Sequence, residues 1–90
     1  MHEHWTFHDA VFAHWRGGIM VLGFAYKTAD GIESGTGHHT RVANSWLERT
    51  TLHFEGTDGR CYRVISWKRA DFSDALDAYD DVLAMARGEA

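Results

Sequence analysis

Three glycine-containing pairs, Gly17-Gly18, Asp30-Gly31 and Asp58-Gly59, constrain the fold of this chain more than any other feature of its sequence. Pairs of this kind adopt the positive φ angles of tight β-turns, so the segments on either side run back along each other. No proline interrupts those segments. The sequence therefore predicts antiparallel β-hairpins over most of the chain.

The first predicted hairpin joins a strand over about residues 5–15 to a strand over about residues 19–28. Alternating side chains in the first strand are typical of a strand that is buried on one face. A turn at Gly17-Gly18 places Trp15 opposite Met20 and creates a strongly apolar face. Its members are Val11, Ala13, Trp15, Met20, Leu22 and Phe24. We expect the rest of the domain to cover this face.

The opposite face of the same hairpin is smaller but also partly apolar. It carries Ala10, Phe12, Ile19, Val21 and Ala25. Because a single helix cannot cover both faces, we expect this one to be exposed, and exposed apolar patches usually mark interaction sites. Phe12, Ile19 and Val21 are the predicted contact residues, and the chain itself is an expected partner, as a homodimer. His8 and His14 flank this face, so acidification should weaken the association.

Two middle segments are less constrained. Residues 34–37, with the sequence Ser-Gly-Thr-Gly, are predicted to form a loop or a strongly bent strand. Residues 40–49 fit a short helix and an irregular edge strand equally well. The sequence does not choose between these two structures.

The second hairpin is predicted from the turn at Asp58-Gly59. This turn places Leu52 opposite Ile65 on another apolar face of the sheet. Cys61 lies on that face, where a free cysteine is expected to be a buried structural thiol. His53 would then project from the opposite face, so we expect no Cys–His catalytic pair.

The last predicted element is an amphipathic helix over about residues 71–87. Asp71 is the expected N-cap, and Arg87-Gly88 marks the C-terminus. At about 100° per residue, the apolar side chains gather in an arc of about 120°. They are Phe72, Ala75, Leu76, Tyr79, Val82, Leu83 and Ala86. The other side carries Asp74, Asp77, Asp80 and Asp81, which are the predicted contacts for a basic protein partner.

Together these elements predict an α+β fold. Four to five strands form antiparallel hairpins or a meander, and they pack against one C-terminal amphipathic helix. Ninety residues accommodate one such domain, over residues 1–90, and leave no room for a second.

Composition excludes several classes of function. The single cysteine forms no intramolecular disulfide, and the first residues lack the features of a signal peptide. The longest apolar stretch, residues 19–26, is far shorter than the roughly 20 residues that span a bilayer. A net charge of −4 without a basic cluster argues against binding to duplex nucleic acid. We therefore expect a cytoplasmic protein with neither a membrane nor a duplex as partner.

Seven histidines raise the question of a metal site. His4 and His8 share a strand face but lie about 13 Å apart along it, too far to bind one ion. His38 and His39, next to the glycine-rich segment, are the remaining candidate ligands. On this spacing we expect no metal and no cofactor.

These observations favour a non-enzymatic protein-interaction module, such as a small inhibitor or accessory protein, that uses an acidic helix face and an apolar sheet face. The alternative is a small enzyme or metal-binding domain that uses His38 and His39. A pocket in which both histidines meet a carboxylate would favour this alternative. Exposure of Phe12, Ile19 and Val21 as one patch would favour the interaction module.

Overall fold

The computed structural model describes residues 4–29, 32–68 and 75–88. Five strands and one helix follow one another along these residues. They are β1 (His4–Trp15), β2 (Gly18–Ala29), β3 (Ile32–Glu48), β4 (Thr51–Gly56), β5 (Cys61–Val64) and α1 (Ala75–Ala86). The predicted α+β fold, with antiparallel strands and a C-terminal helix packed on them, is confirmed.

The five strands are hydrogen-bonded in chain order and close into a barrel. Each strand is antiparallel to the next one. β5 then pairs in parallel with β1, from Trp5 opposite Tyr62 to Phe7 opposite Val64, which the sequence did not predict. Closure gives the sheet an inside and an outside, so the alternation along each strand decides which side chains enter the core.

The first hairpin turns one residue earlier than predicted. Trp15 pairs with Gly18, so Arg16 and Gly17, with φ angles of 48° and 78°, form the turn. Two successive positive φ angles are what a tight type I′ turn requires. Close to the turn, each residue of β1 pairs with a β2 residue two positions earlier than predicted. A shift of two residues leaves the same side chains on each face of the hairpin.

A β-bulge interrupts β1 shortly before its middle. The pairing with β2 shifts between His8 and Val11. Asp9 has a φ angle of 53°, and its N–H donates to Ser66 Oγ at 2.9 Å. Because the bulge adds one residue, it reverses the alternation, and Phe7 enters the core together with residues 10 and 12.

The hairpin face that was predicted to be exposed is the inside of the barrel. Phe12 and Val21 are only 1% and 0% exposed, and Ile19 is half-buried against the core. The prediction of an exposed patch at these three residues is therefore wrong. A five-stranded barrel has a narrow interior, and this face fits there because its large side chains alternate with small residues. These small residues are Ala10, Gly23 and Ala25.

β3 runs through both segments that the sequence left open. Residues 34–37 belong to this strand and pair with β2, with Gly35 opposite Tyr26. A Cβ atom on Gly35 would overlap the Tyr26 ring, so the close approach of that ring requires glycine here. Residues 40–48 continue the strand, which pairs with β4 from Val42 onward. Of the alternatives that the sequence left open, both segments form strand rather than loop or helix, and β3 lies between β2 and β4 rather than at an edge.

The second hairpin has a longer turn than predicted. Residues 57–60 join β4 to β5, and the pairing differs by one residue from the predicted register. Such a shift reverses the two faces of a strand. Tyr62 is therefore fully buried, whereas Cys61 and Ile65 are exposed, and the prediction that both of these lie on the buried face is wrong. Cys61 lies on the outer face, the same face as His53.

The helix ends where the sequence predicts. Its last residue is Ala86, and the N–H of Gly88, which has a φ angle of 74°, donates to the Met85 carbonyl oxygen at 3.1 Å. The predicted N-cap residue lies outside the described residues. Val82 is fully buried, as predicted, and so is Ala78, which falls outside the predicted apolar arc.

α1 packs mainly against β1 and β3. The Tyr79 ring lies 5.5 Å from the Phe12 ring and stacks on the Trp67 ring at 3.9 Å. A buried hydrogen bond at 3.0 Å, from the Ser45 hydroxyl to the Val82 carbonyl oxygen, fixes the helix to β3. Within the described residues, no helix has the length and apolar character needed to cross a membrane.

Candidate functional site

The outer surface of β2 carries large apolar side chains that face solvent. Leu22 and Phe24 are 40% and 44% exposed. They are two residues apart on one strand, so they project side by side about 6.6 Å from each other. Half-buried Met20 precedes them on the same face. We call Met20, Leu22 and Phe24 the outer ridge.

Gly37 on β3 leaves the surface beside the outer ridge without a side chain. Gly37 pairs with Phe24 across the two strands, and a Cβ atom on Gly37 would meet no other atom within 4 Å. The surface next to the Phe24 ring is therefore open and lacks a side chain.

Polar groups flank the outer ridge on both sides. On β1, His8 pairs with Phe24, its ring lies 4.8 Å from the Tyr26 ring, and its Nε2 is 3.3 Å from Thr6 Oγ1. On β3, exposed His39 pairs with Leu22. On the β1 side, however, Met20 and Leu22 pair with the apolar residues Ala13 and Val11, so the polar groups flank only part of the ridge.

No carboxylate belongs to the outer ridge or to its cross-strand partners in the described β1–β3 sheet. The only residue of fixed charge among these partners is Arg41, opposite Met20. Its guanidinium donates hydrogen bonds to the carbonyl oxygens of Trp15, at 2.7 Å, and Arg16, at 3.1 Å. Arg41 thus holds the β1–β2 turn at one end of the ridge.

The predicted acidic helix face is only partly available. Asp80 and Asp81 are exposed on α1, and Asp81 Oδ2 lies 2.8 Å from His14 Nε2 on β1. Asp77 lies within α1, and Asp74 lies outside the described residues. One of the two described carboxylates is therefore already bonded to the barrel.

His38 belongs to a closed hydrogen-bonded cluster with Asp58 and Tyr62. The Tyr62 hydroxyl donates to Asp58 Oδ2 at 2.6 Å, and His38 Nε2 lies 3.0 Å from the same oxygen. The Tyr62 hydroxyl is also 3.2 Å from His38 Nε2. Asp58 Oδ1 accepts the backbone N–H of Arg60 at 3.1 Å. The cluster ties the β4–β5 loop to β3 and β5.

The hydrogen bonds of this cluster set its protonation. Burial raises the pKa of the Asp58 carboxyl, but hydrogen bonds from Tyr62, His38 and the Arg60 backbone outweigh it, so the net pKa is lowered. Burial, together with the hydrogen bond to Asp58, raises the pKa of Tyr62 to about 12. At neutral pH an ionised carboxylate therefore accepts a hydrogen bond from a neutral phenol.

His39 does not join His38 at this carboxylate. Successive residues of a strand point to opposite faces, and the two rings are 6.4 Å apart, with His39 on the exposed outer face. Nowhere in residues 4–29, 32–68 and 75–88 do three His, Cys, Asp or Glu side chains form a group that could hold a metal ion. Only one of the two predicted histidines thus meets a carboxylate.

Sequence reasoning missed both arrangements for identifiable reasons. It assigned Leu22 and Phe24 to the buried face, because nothing in a strand pattern states which apolar face is inside. It treated Asp58 as a turn residue, and His38 is separated from it by 20 positions. The Asp-Gly turn signal was the only local indication that a carboxylate would be fixed at this loop.

No protein-family model matches this chain, and no curated protein or solved structure matches it either.

Proposed function

We propose that this protein is a non-enzymatic protein-interaction module that binds its partner through the outer ridge. The observation that carries this proposal is the exposure of Leu22 and Phe24 side by side on one strand. Moving a fully exposed Leu or Phe side chain out of water contributes about 1.5–3 kcal/mol, and covering the exposed 40% of Leu22 and 44% of Phe24 would contribute a corresponding part of that. Two exposed apolar side chains that project side by side can be covered together by one partner, and exposed apolar patches usually mark interaction sites.

The backbone of β2 offers a partner no free hydrogen-bonding groups, so a partner can bind there only through side chains. β2 is hydrogen-bonded to β1 on one side and to β3 on the other. A partner therefore finds no free edge at β2 to which it could add a strand. Recognition at this surface rests on packing against the outer ridge.

The ridge is a better candidate than the acidic helix face. Asp81 is bonded to His14, and a row of helix carboxylates is most often a solvated surface. The ridge is also a better candidate than the His38 cluster, because the three polar groups there already satisfy one another. Covering an apolar side chain that faces water, in contrast, is favourable, because it lowers the free energy of the complex.

Photo-cross-linking tests this proposal. A photoreactive phenylalanine analogue replaces Leu22 in one variant and Asp80 on the helix in another. After irradiation in a lysate of the native cells, we expect a discrete polypeptide adduct from position 22 and none from position 80. Adducts from position 80 alone would move the binding surface to the helix.

A second substitution in the Leu22-labelled protein provides the matched control. Phe24→Ser should abolish the adduct, whereas Ile65→Ser should leave it unchanged, because Ile65 is equally exposed, at 46%, but lies outside the ridge. If both substitutions reduce the adduct equally, the outer ridge is not the binding surface.

A further inference from the structure

β3 pairs with a neighbouring strand on both sides along only part of its length. Residues 32–41 pair with β2, whereas the pairing with β4 begins at Val42. The β4–β5 loop extends the contact by one residue, because the N–H of Thr57 donates to the Arg41 carbonyl oxygen at 2.9 Å. Among the residues that the structure describes, no strand pairs with the β4 side of residues 35–39. We call this free side of residues 35–39 the β3 edge.

The Arg41 contact shows which backbone groups point to the β3 edge. Every second residue of a strand directs its N–H and C=O to the same side, so those of Gly35, Gly37 and His39 point the same way as the Arg41 carbonyl. In the described part of the chain, no backbone hydrogen bond reaches these three residues from a loop or turn. Three donors and three acceptors therefore face outward in a row, about 6.6 Å apart from one residue to the next.

The exposure of the side chains agrees with an open edge. Thr36 lies on the inner side of the sheet, opposite buried Ala25, and yet it is exposed. Thr40 lies on the same side and is only 6% exposed. β4 reaches Thr40, where a Cβ atom on Gly56 would overlap the Thr40 side chain, and its pairing ends before Thr36. The barrel wall is therefore open beside Thr36.

We infer that the β3 edge binds an extended segment of a partner polypeptide, which adds to the sheet as a further strand. This inference rests on the proposed function and names the chemistry of the partner. An extended backbone matches evenly spaced donors and acceptors along a strand edge. Gly35 and Gly37 carry no side chain that blocks its approach. Residues 35–39 also contain no proline, lysine or carboxylate, which are residues that commonly protect an edge.

The outer face beside the β3 edge favours an apolar side chain on the added strand. The Tyr26 ring lies over Gly35, so an aromatic surface reaches the edge. Gly37 places no side chain between the edge and exposed Phe24. A side chain of the added strand that lies across Gly37 would therefore approach Phe24, which links the β3 edge to the outer ridge. We expect apolar residues at alternate positions of the bound segment.

A second copy of the chain fits this edge less well. Gly35 and Gly37 of the second copy would supply no side chain to cover Phe24. Each copy also carries a net charge of −4, so two copies repel each other as they approach. A different polypeptide with apolar side chains at alternate positions meets neither obstacle.

Selection of random peptides of about ten residues, displayed on phage, against the purified protein tests the inference. We expect enriched peptides with apolar residues at alternate positions and a Kd on the order of 10–100 μM, because the edge is short. N-methylation of a peptide amide that faces β3 should weaken binding about tenfold, because it removes a donor. N-methylation of the next amide, which faces away from β3, should have little effect.

Two substitutions at Gly37 form a matched pair. Gly37→Pro removes a donor that faces the edge and leaves the hydrogen bonds between β2 and β3 in place, so it should weaken peptide binding about tenfold. Gly37→Ala keeps the donor and adds a methyl group in open space, so the Kd should change less than about threefold. Urea unfolding establishes whether each variant is folded. If Gly37→Pro does not fold, the N-methylated peptides decide the test.

The outcomes separate this inference from the proposed function. If no peptide is enriched, or if every N-methylated peptide still binds, the inference is overturned, and an adduct at position 22 leaves the proposed function standing. Binding that depends on alternate amides, withstands Phe24→Ser and gives no adduct at position 22 supports the edge and overturns the outer ridge. If sedimentation shows a dimer that Gly37→Pro dissociates, a second copy occupies the edge, which overturns the inferred partner.

Discussion

The two faces of the β1–β2 hairpin have similar composition but opposite environments. On the inside, Phe12 and Val21 are almost completely buried, whereas on the outside Leu22 and Phe24 are nearly half exposed. Val21 and Leu22 are adjacent in the chain, so only the direction of the side chain separates the two environments. Whether an apolar residue in a strand is buried or exposed therefore depends on the face it lies on and not on its hydrophobicity.

Aromatic packing distinguishes the inside from the outside. The Phe54 ring lies 5.6 Å from the Phe7 ring and 6.3 Å from the Phe12 ring, and it stacks on Tyr62 at 5.0 Å. These rings come from β1, β4 and β5, so closure of the barrel creates a cluster that no single hairpin contains. The inner face is stabilised by the whole barrel, whereas Leu22 and Phe24 on the outer face remain exposed to solvent.

Charged substitutions on the two faces give the largest expected contrast. Phe12→Asp places a carboxylate in the core, which should cost more than about 5 kcal/mol, comparable to the whole stability of a small domain. Leu22→Asp, on the outer face, should change the free energy of unfolding by less than about 1 kcal/mol. Circular dichroism with urea titration checks both variants. A well-folded Phe12→Asp protein would show that the two faces are assigned the wrong way round.

Truncations to alanine sharpen the same comparison. Phe54→Ala removes a fully buried ring and should destabilise the fold by about 3–5 kcal/mol. Phe24→Ala removes an exposed ring of the same size and should cost less than about 1 kcal/mol. The urea midpoints of the two variants measure the difference. Equal shifts would mean that Phe24 is covered within the monomer.

Much of the fold was predictable, because it depends on local signals. Gly88 marked the end of α1, and the apolar arc correctly placed Val82 in the core. The turn pairs correctly predicted hairpins. These features depend on the conformational preferences of residues that are adjacent in the chain, and such preferences can be read directly from the sequence.

The inside and outside of the barrel were not predictable in the same way. One extra residue, in the bulge at Asp9 or in the β4–β5 loop, reverses every later side chain of a strand. That is why Tyr62 lies inside and Cys61 outside, contrary to the prediction. The His38 cluster depends on this register as well, because Tyr62 reaches Asp58 only from the inner face.

A pH effect of intermediate size is expected at the Tyr62 hydroxyl, where the buried ring meets Asp58 and His38. Its pKa is raised from 10.0 to about 12, so folding favours the neutral phenol. The stabilisation of the fold that comes from the neutral Tyr62 phenol is complete below pH 10, and it should be lost as the pH rises from 10 to about 12. Urea unfolding across this range should show the loss in the unmodified protein and a smaller one in Tyr62→Phe. Identical profiles would exclude Tyr62 as the responsible group.

The same substitution tests the cluster at neutral pH. Tyr62→Phe removes the hydroxyl that donates to Asp58, and a hydrogen bond to a charged group contributes about 1.5–3 kcal/mol. The loss should therefore be smaller than for Phe54→Ala, because the ring and its packing remain. A loss as large as that of Phe54→Ala would mean that the substitution disturbs the core itself.

The smallest expected effect belongs to the solvent-exposed contact between α1 and the end of β1. Asp81 bonds to His14 at 2.8 Å, and both side chains are largely exposed, so Asp81→Asn should cost less than about 1 kcal/mol. Asp80→Asn, one residue earlier on the exposed side of the helix, is the matched control and should have no measurable effect. Urea midpoints at low and high salt check the pair, because added salt should reduce the cost of Asp81→Asn. A cost near that of Phe54→Ala would mean that this solvent-exposed contact holds the helix as firmly as the core does.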